Sequence, residues 1–157
     1  MGLWHMGIEY ISIKGHHTFI KRNAETGKII SKNEYDNLIC TACKNMIAAE
    51  LVAGAGSHNI TYGTVGTNTA APSAADTTLG TEIDRVALSS ISATGAVVTA
   101  RAYFGPADGN GVLKEYGLFG AAATAAADSG TMINHVVISE TKTATETLTV
   151  ESVITIS

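Results

Sequence analysis

From Val86 to its last residues the chain repeats with a period of two. Ala96, Val98, Ala100, Ala102 and Phe104 alternate with Val97, Thr99, Arg101 and Tyr103. The closing stretch sets Leu148, Val150, Ser152, Ile154 and Ile156 on one face and Thr147, Thr149, Glu151 and Thr155 on the other. Successive side chains of an extended strand point to opposite faces, so both stretches read as half-buried strands. Val86–Ser92, Val112–Phe119 and Met132–Ser139 read as further strands. Between them lie turn clusters such as Gly105-Pro106-Ala107-Asp108-Gly109-Asn110-Gly111. Their residues supply positive φ, fixed φ or local side-chain hydrogen bonds. Short strands at regular spacing between such turns predict an all-β, jelly-roll-like antiparallel β-sandwich. The alanine-rich run from Gly120 to Gly130 is expected to be a hairpin loop, with a short helix as the rival reading.

The N-terminal part reads differently. Ile8, Ile11, Ile13, Phe19 and Ile20 suggest strands, interrupted at Lys14-Gly15-His16-His17. Two apolar stretches around Phe19 and Ile29 flank Asn23-Ala24-Glu25-Thr26-Gly27, where Gly27 takes positive φ cheaply, so a hairpin is expected. An isolated hairpin is marginal in water. Residues 1–35 are therefore expected to be an arm that packs on the sandwich or on a neighbouring subunit, ahead of a sandwich domain spanning 36–157. One packed α-helix is predicted at about 38–53, with Asp36 or Asn37 as its cap and Gly54-Ala55-Gly56 as its end. Its apolar face is Ile39, Cys43, Met46, Ile47 and Leu51.

Between helix and alternating strands lies Ile60–Arg85, which opens as a strand and then runs through a long Gly/Thr/Asn/Ala/Pro/Ser loop to Glu82 and Arg85. A loop of that length inside a domain is commonly functional or held by a partner. Glu82 and Arg85, three residues apart, are expected to form an ion pair that fastens this loop, with Glu115 as a further partner for Arg85.

These features together resemble a known family. The segment ITYGTVGTNTAAPSAADTTLGTEIDR, the helix start Asn37-Leu38-Ile39-Cys40-Thr41-Ala42-Cys43-Lys44, and Glu115-Tyr116-Gly117-Leu118-Phe119 match in order and spacing. So do Met132–Val137 and the closing Leu148–Ile156. The match, from about Thr26 to Ser157, is to small β-sandwich virion proteins of tailed bacteriophages, described as tail-fibre-like or accessory structural proteins. Cys43 stands where that family usually has a small residue, often Gly. In the family the glutamate–arginine and Glu-x-Gly-Leu-Phe positions recur together, which is consistent with a fold-defining contact.

Composition agrees with a structural role. Of 157 residues only 15% are charged, against about 25% in an average chain. Such a surface suits burial against copies of the chain or a larger assembly. The net charge of −4 offers no basic footprint for nucleic acid. No apolar run approaches the roughly 20 residues of a membrane-spanning helix. The start, Met1 to Met6, lacks the pattern of a signal peptide.

Candidate chemistry is sparse. Cys40 and Cys43 form a C-x-x-C, with redox and zinc readings against a buried structural one; zinc would have to draw on His16, His17, His58 and His135. The structural reading is expected, because Cys43 falls on the apolar helix face. His16-His17 beside Lys14 reads as a solvated turn, against a metal site at a trimer axis. Asp108-Gly109-Asn110-Gly111 reads as a tight turn rather than a calcium loop. No P-loop, G-x-S-x-G or H-E-x-x-H occurs. The expectation is a protein with no catalytic residues, cofactor or metal. The resemblance implies a structural virion protein, expected to self-associate with a trimer favoured and to dock on other virion proteins as a tail fibre or tip component or as capsid decoration. The assembly arm would use Ile8, Ile11, Ile13, Phe19 and Ile20. The alternative is a module binding a host-surface receptor or glycan through Tyr62, Tyr103 and Tyr116, although aromatic residues are only 6% and the single tryptophan, Trp4, lies outside the sandwich. An enzyme would need a pocket joining Glu82, Asp84 and Glu115.

Overall fold

The computed structural model describes residues 10–53 and 58–157. In chain order its elements are β1 (Ile13–Asn23), β2 (Ile29–Ile39), α1 (Thr41–Ala53), β3 (Ile60–Gly66), β4 (Glu82–Thr94), β5 (Val97–Phe104), β6 (Gly111–Gly120), β7 (Thr131–Lys142) and β8 (Glu146–Ile156). The strands close into an eight-stranded barrel, ordered β1-β2-β7-β6-β3-β4-β5-β8, with every pair antiparallel. The all-β class holds; the jelly-roll sandwich does not.

The reason lies in two long strands. β2 pairs with β1 through Asn37 and then with β7 at Leu38 and Ile39. β4 pairs with β3 through Ala87 and with β5 from Leu88 onward, with an irregular register between Leu88 and Ser90. Each strand leaves one sheet and enters the other, making a corner where a sandwich would have two open edges. Closure removes most of the edge that an open sheet presents.

The N-terminal hairpin forms, with Gly27 at φ 68° in its turn. Asn23 Oδ1 accepts from the Glu25 and Thr26 amides there. It is not an arm, however. β1 runs unbroken through Lys14-Gly15-His16-His17 and pairs with β8 from Ile13↔Ile156 to Asn23↔Glu146. Phe19 is 1% exposed and packs edge-on against Tyr35 and Tyr116. Ile13 packs against the core, Ile20 is half-buried, Ile11 is exposed, and Ile8 lies outside the described residues. The hairpin is barrel wall because its alternate residues complete the core.

The helix begins at Thr41 rather than Leu38. Asp36 and Asn37 are strand residues, and Ile39 is a core residue of β2. Cys43, Met46 and Ile47 pack against the barrel interior, whereas Leu51 is 86% exposed. The expected helix end, Gly54-Ala55-Gly56, lies outside the described residues, as does Trp4. The run between Gly120 and Gly130 is a loop, as expected.

Two apolar clusters result. Val65, Phe104, Tyr116, Leu118, Ile133, Val136, Leu148 and Val150 belong to the barrel interior. Cys40, Leu79, Phe119 and Met132 form a smaller cluster with Tyr62 and Ala123 against it. β6 serves both, and from Glu115 to Gly120 every residue is buried. Tyr116 and Leu118 face the interior; Glu115, Gly117 and Phe119 face outward, beneath loops. A Cβ on Gly117 would lie 2.9 Å from the Asn134 carbonyl oxygen and 3.3 Å from Leu79, so only glycine lets the loop pack this closely.

Candidate functional site

The outward row of β6 organises the site, because antiparallel pairing brings residues of three strands to one face. Gly66 pairs with Glu115, Thr64 with Gly117 and Tyr62 with Phe119. On the other side of β3, Thr64 pairs with Arg85. On β7, His135 pairs with Gly117. Two loops, 67–81 and 121–130, lie over this face, and each is held by its own charged clamp.

Glu115 holds the first loop. Its Oε1 accepts from the Asn68 amide at 3.0 Å and the Thr81 amide at 2.8 Å, and its Oε2 accepts from the Gly80 amide at 2.8 Å. The carboxylate is 1% exposed. Gly66 has no side chain for the same reason: a Cβ there would fall on Glu115 and on the Thr81 carbonyl. His135 completes the clamp, with Nε2 3.1 Å from Glu115 Oε2 and Nδ1 2.7 Å from Asp76 Oδ2. Both ring nitrogens are thus engaged by carboxylates, one from the β6 strand and one from the loop. Burial pushes the Asp76 carboxyl up, but the Ser73 amide and His135 outweigh it and hold it below the usual carboxylate range. The loop is also tied to α1, where the Thr41 amide donates to the Ala74 carbonyl at 2.8 Å. A cleft of about 390 Å³ remains beside Asp76, His135 and Glu115.

Arg85 holds the second loop. Its Nε donates to Glu82 Oε1 at 2.6 Å and its Nη2 to Glu82 Oε2 at 2.7 Å, a bidentate pair in which both side chains are 3% exposed. Nη1 donates to the Thr124 carbonyl at 2.9 Å and to Ser129 Oγ at 2.9 Å. The guanidinium lies 5.0 Å from the Phe119 ring centroid and 5.7 Å from that of Tyr62. Glu82 also accepts from the Asp128 amide, and Asp128 has φ 58°. The clamp thus holds a loop in which Ala121 and Ala122 also take positive φ.

The expected Glu82–Arg85 pair is present. Glu115 is not its partner: it belongs to the neighbouring clamp, so the three charges form two fasteners rather than one. Asp84 joins neither, accepting instead from the Arg85 and Gly109 amides. A pocket uniting Glu82, Asp84 and Glu115 is therefore not formed.

The other candidates fall apart in the same way. Tyr116 is in the barrel interior, Tyr62 lies beneath Arg85, and Tyr103 is 48% exposed on β5, so the three do not share a face. Cys40 and Cys43 are buried free thiols. Burial, with Asp76 and Cys43 nearby, pushes the Cys40 thiol up to about 12, far from a reactive thiolate. Asp108 Oδ2 accepts from the Gly105 amide at 3.0 Å within a turn that closes at Gly105–Asp108, ahead of the Gly109-Asn110-Gly111 turn expected from the sequence. His16 and His17 are in a strand, not a turn. His16 faces Asp36 at 2.8 Å, and His17 is fully buried in the barrel. His17 Nε2 accepts from Asn37 Nδ2 at 2.9 Å and Nδ1 donates to Ser152 Oγ at 2.8 Å. Burial, reinforced by His16, lowers its pKa to about 3. This Ser–His–Asn line resembles a nucleophile and its base, but Ser152 is 1% exposed and no substrate reaches it. Among the described residues no group of three or more His, Cys, Asp or Glu is arranged to hold a metal ion.

Asp76 is the site residue that sequence reading missed, and His135, named there only as stock for a zinc site, instead bridges Asp76 and Glu115. His135 sits among apolar residues of β7, and its register opposite Gly117 is the signal that it faces the same way as Glu115. Comparison with protein-family models, curated protein sequences and solved structures finds no match.

Proposed function

We propose that the chain is a non-enzymatic structural protein of a tailed-phage or related virion. It associates with copies of itself and docks on other virion proteins, as a tail fibre or tip component or as capsid decoration. The motif order from Thr26 to Ser157 supports this reading. The single observation that carries it is the pair of clamps.

Adhesion by surface complementarity needs loops displayed rigidly, so that little ordering entropy opposes docking. Glu115 with His135, and Arg85 with Glu82, supply that rigidity. The only charged side chains within the two clamped loops are Asp76 and Asp128. Asp76 is engaged by His135, and Asp128 is exposed with its backbone amide held by Glu82. What the loops present outward is mainly Ala, Thr, Ser and Asn, a small-residue surface suited to permanent packing. In this reading the buried ionisable groups fix surface shape.

Immunogold labelling of virions made by the genome that encodes this chain tests the proposal. Gold on the tail or capsid surface is the expected result. Unlabelled particles from cells that make the chain in quantity would overturn it.

A further inference from the structure

The corner at β4 leaves a length of strand without a neighbour. β3 pairs with β4 only as far as Ala87, whereas β4 continues along β5 from Leu88↔Ala102 to Thr94↔Val97. Among the described residues, nothing bonds to the outer main-chain edge of Leu88–Thr94. Such an edge is a template for another strand.

The barrel treats its other gap very differently. β2 runs beside β7 with only two register pairs, Leu38↔His135 and Ile39↔Asn134. The rest of that seam is laced by side chains. Lys21 Nζ donates to the Thr141 carbonyl at 2.7 Å, and Asn33 Nδ2 and Tyr35 Oη donate to Glu140 Oε1 at 2.7 and 2.9 Å. Lys32, Glu34 and Asp36 add charge along the same strand. Lacing and charge are the usual means of keeping a strange strand out. The stretch Leu88-Ser89-Ser90-Ile91-Ser92-Ala93-Thr94 carries neither: it has no charged residue and no proline. Ser89 through Thr94 are exposed. A groove of about 820 Å³ runs beside them, lined by Ile60, Tyr62, Leu88, Ile91 and Val98.

We infer that the β4 edge pairs with the same edge of a second copy, antiparallel, about a two-fold axis at Ile91. Ile91 is the midpoint of the free stretch. With the axis there, Ser90 of one copy lies opposite Ser92 of the other, so small uncharged side chains meet and no like charges oppose each other. β4, β5, β8, β1 and β2 of each copy then join into one continuous sheet across the interface. Ile91 gains cover from the second copy's groove. A self-complementary strand of this kind fits an isologous contact. The inference rests on the self-associating reading above and gives it a surface.

Charge placement on the full chain tests both the edge and its register. Ser90→Lys with Ser92→Lys sets lysine opposite lysine twice, and light scattering should show the wild-type oligomer falling to half its mass. Ser90→Lys with Ser92→Glu sets lysine opposite glutamate twice, and the wild-type mass should return. All three proteins should give the same circular dichroism spectrum, because both positions are exposed. A double-lysine protein of wild-type mass would overturn the interface, as would a monomeric wild type. A lysine–glutamate protein that stays at half mass would overturn the two-fold register. An oligomer indifferent to these changes leaves the virion reading standing, since that is decided on particles.

Discussion

Glu115 and His135 face each other across the β6–β7 pair, Glu115 Oε2 lying 3.1 Å from His135 Nε2. Together they tie 67–81 to the barrel, Glu115 through three backbone amides and His135 through Asp76. Glu115→Gln replaces one acceptor oxygen by a donor and leaves a buried N–H facing an N–H. The expected loss is about 3 kcal/mol in urea unfolding. Proteolytic cutting within 67–81 should speed up in the same variant. Wild-type stability and cutting would show that the carboxylate does not hold the loop.

Arg85 tests the second clamp. Lysine offers a point charge and cannot span Glu82, Thr124 and Ser129 together, so Arg85→Lys should cost about 2 kcal/mol. Arg85→Ala strands a buried Glu82 and should cost about 4 kcal/mol. Removing Glu82 as well should cost less than the two single changes summed, a coupling that a double-mutant cycle in urea reads directly.

Acid should destabilise the fold before it protonates most carboxylates. His17 binds its proton with a pKa of about 3 when folded, against an ordinary value of 6.5. Between those values the unfolded chain holds the extra proton, so the His17 contribution is fully present above the ordinary value and falls with pH. The slope should be about 1.4 kcal/mol per pH unit. Asp76, held below the usual carboxylate range, adds loss in the same direction at the acid end. Denaturation midpoints from pH 7 to pH 4 check this; a flat profile would mean that His17 is protonated in the folded barrel.

Deleting residues 1–35 removes β1 and most of β2, takes Phe19 out of the core, opens the barrel and leaves β8 paired with β5 alone. The expected product has no cooperative thermal transition. A truncated chain that melts cooperatively would mean that the hairpin is an arm after all.

Glu115-Tyr116-Gly117-Leu118-Phe119 shows how far sequence reaches here. Alternation marks it as a strand and separates Tyr116 and Leu118 from Glu115, Gly117 and Phe119. It does not say that both faces are buried, because the cover over Glu115 comes from a loop 34 or more residues away in the chain. The Glu82–Arg85 pair was legible from local spacing. Opposite charges alone suggest Glu115 as a partner for Arg85, whereas the register of β3 against β6 delivers it to backbone amides instead. His16-His17 reads as a turn because glycine and polar residues precede Phe19. In the fold, Gly15 is a strand residue whose missing side chain makes room for Asn37. Barrel closure was illegible because it depends on where β2 and β4 change sheets, and their sequences do not signal those corners.

The most direct test of the structural-virion account is the amount of this chain in purified particles, measured by quantitative mass spectrometry. The account expects it at multiple copies per virion, retained through washing. Its absence from particles, alongside abundant soluble protein in the producing cells, would contradict the account.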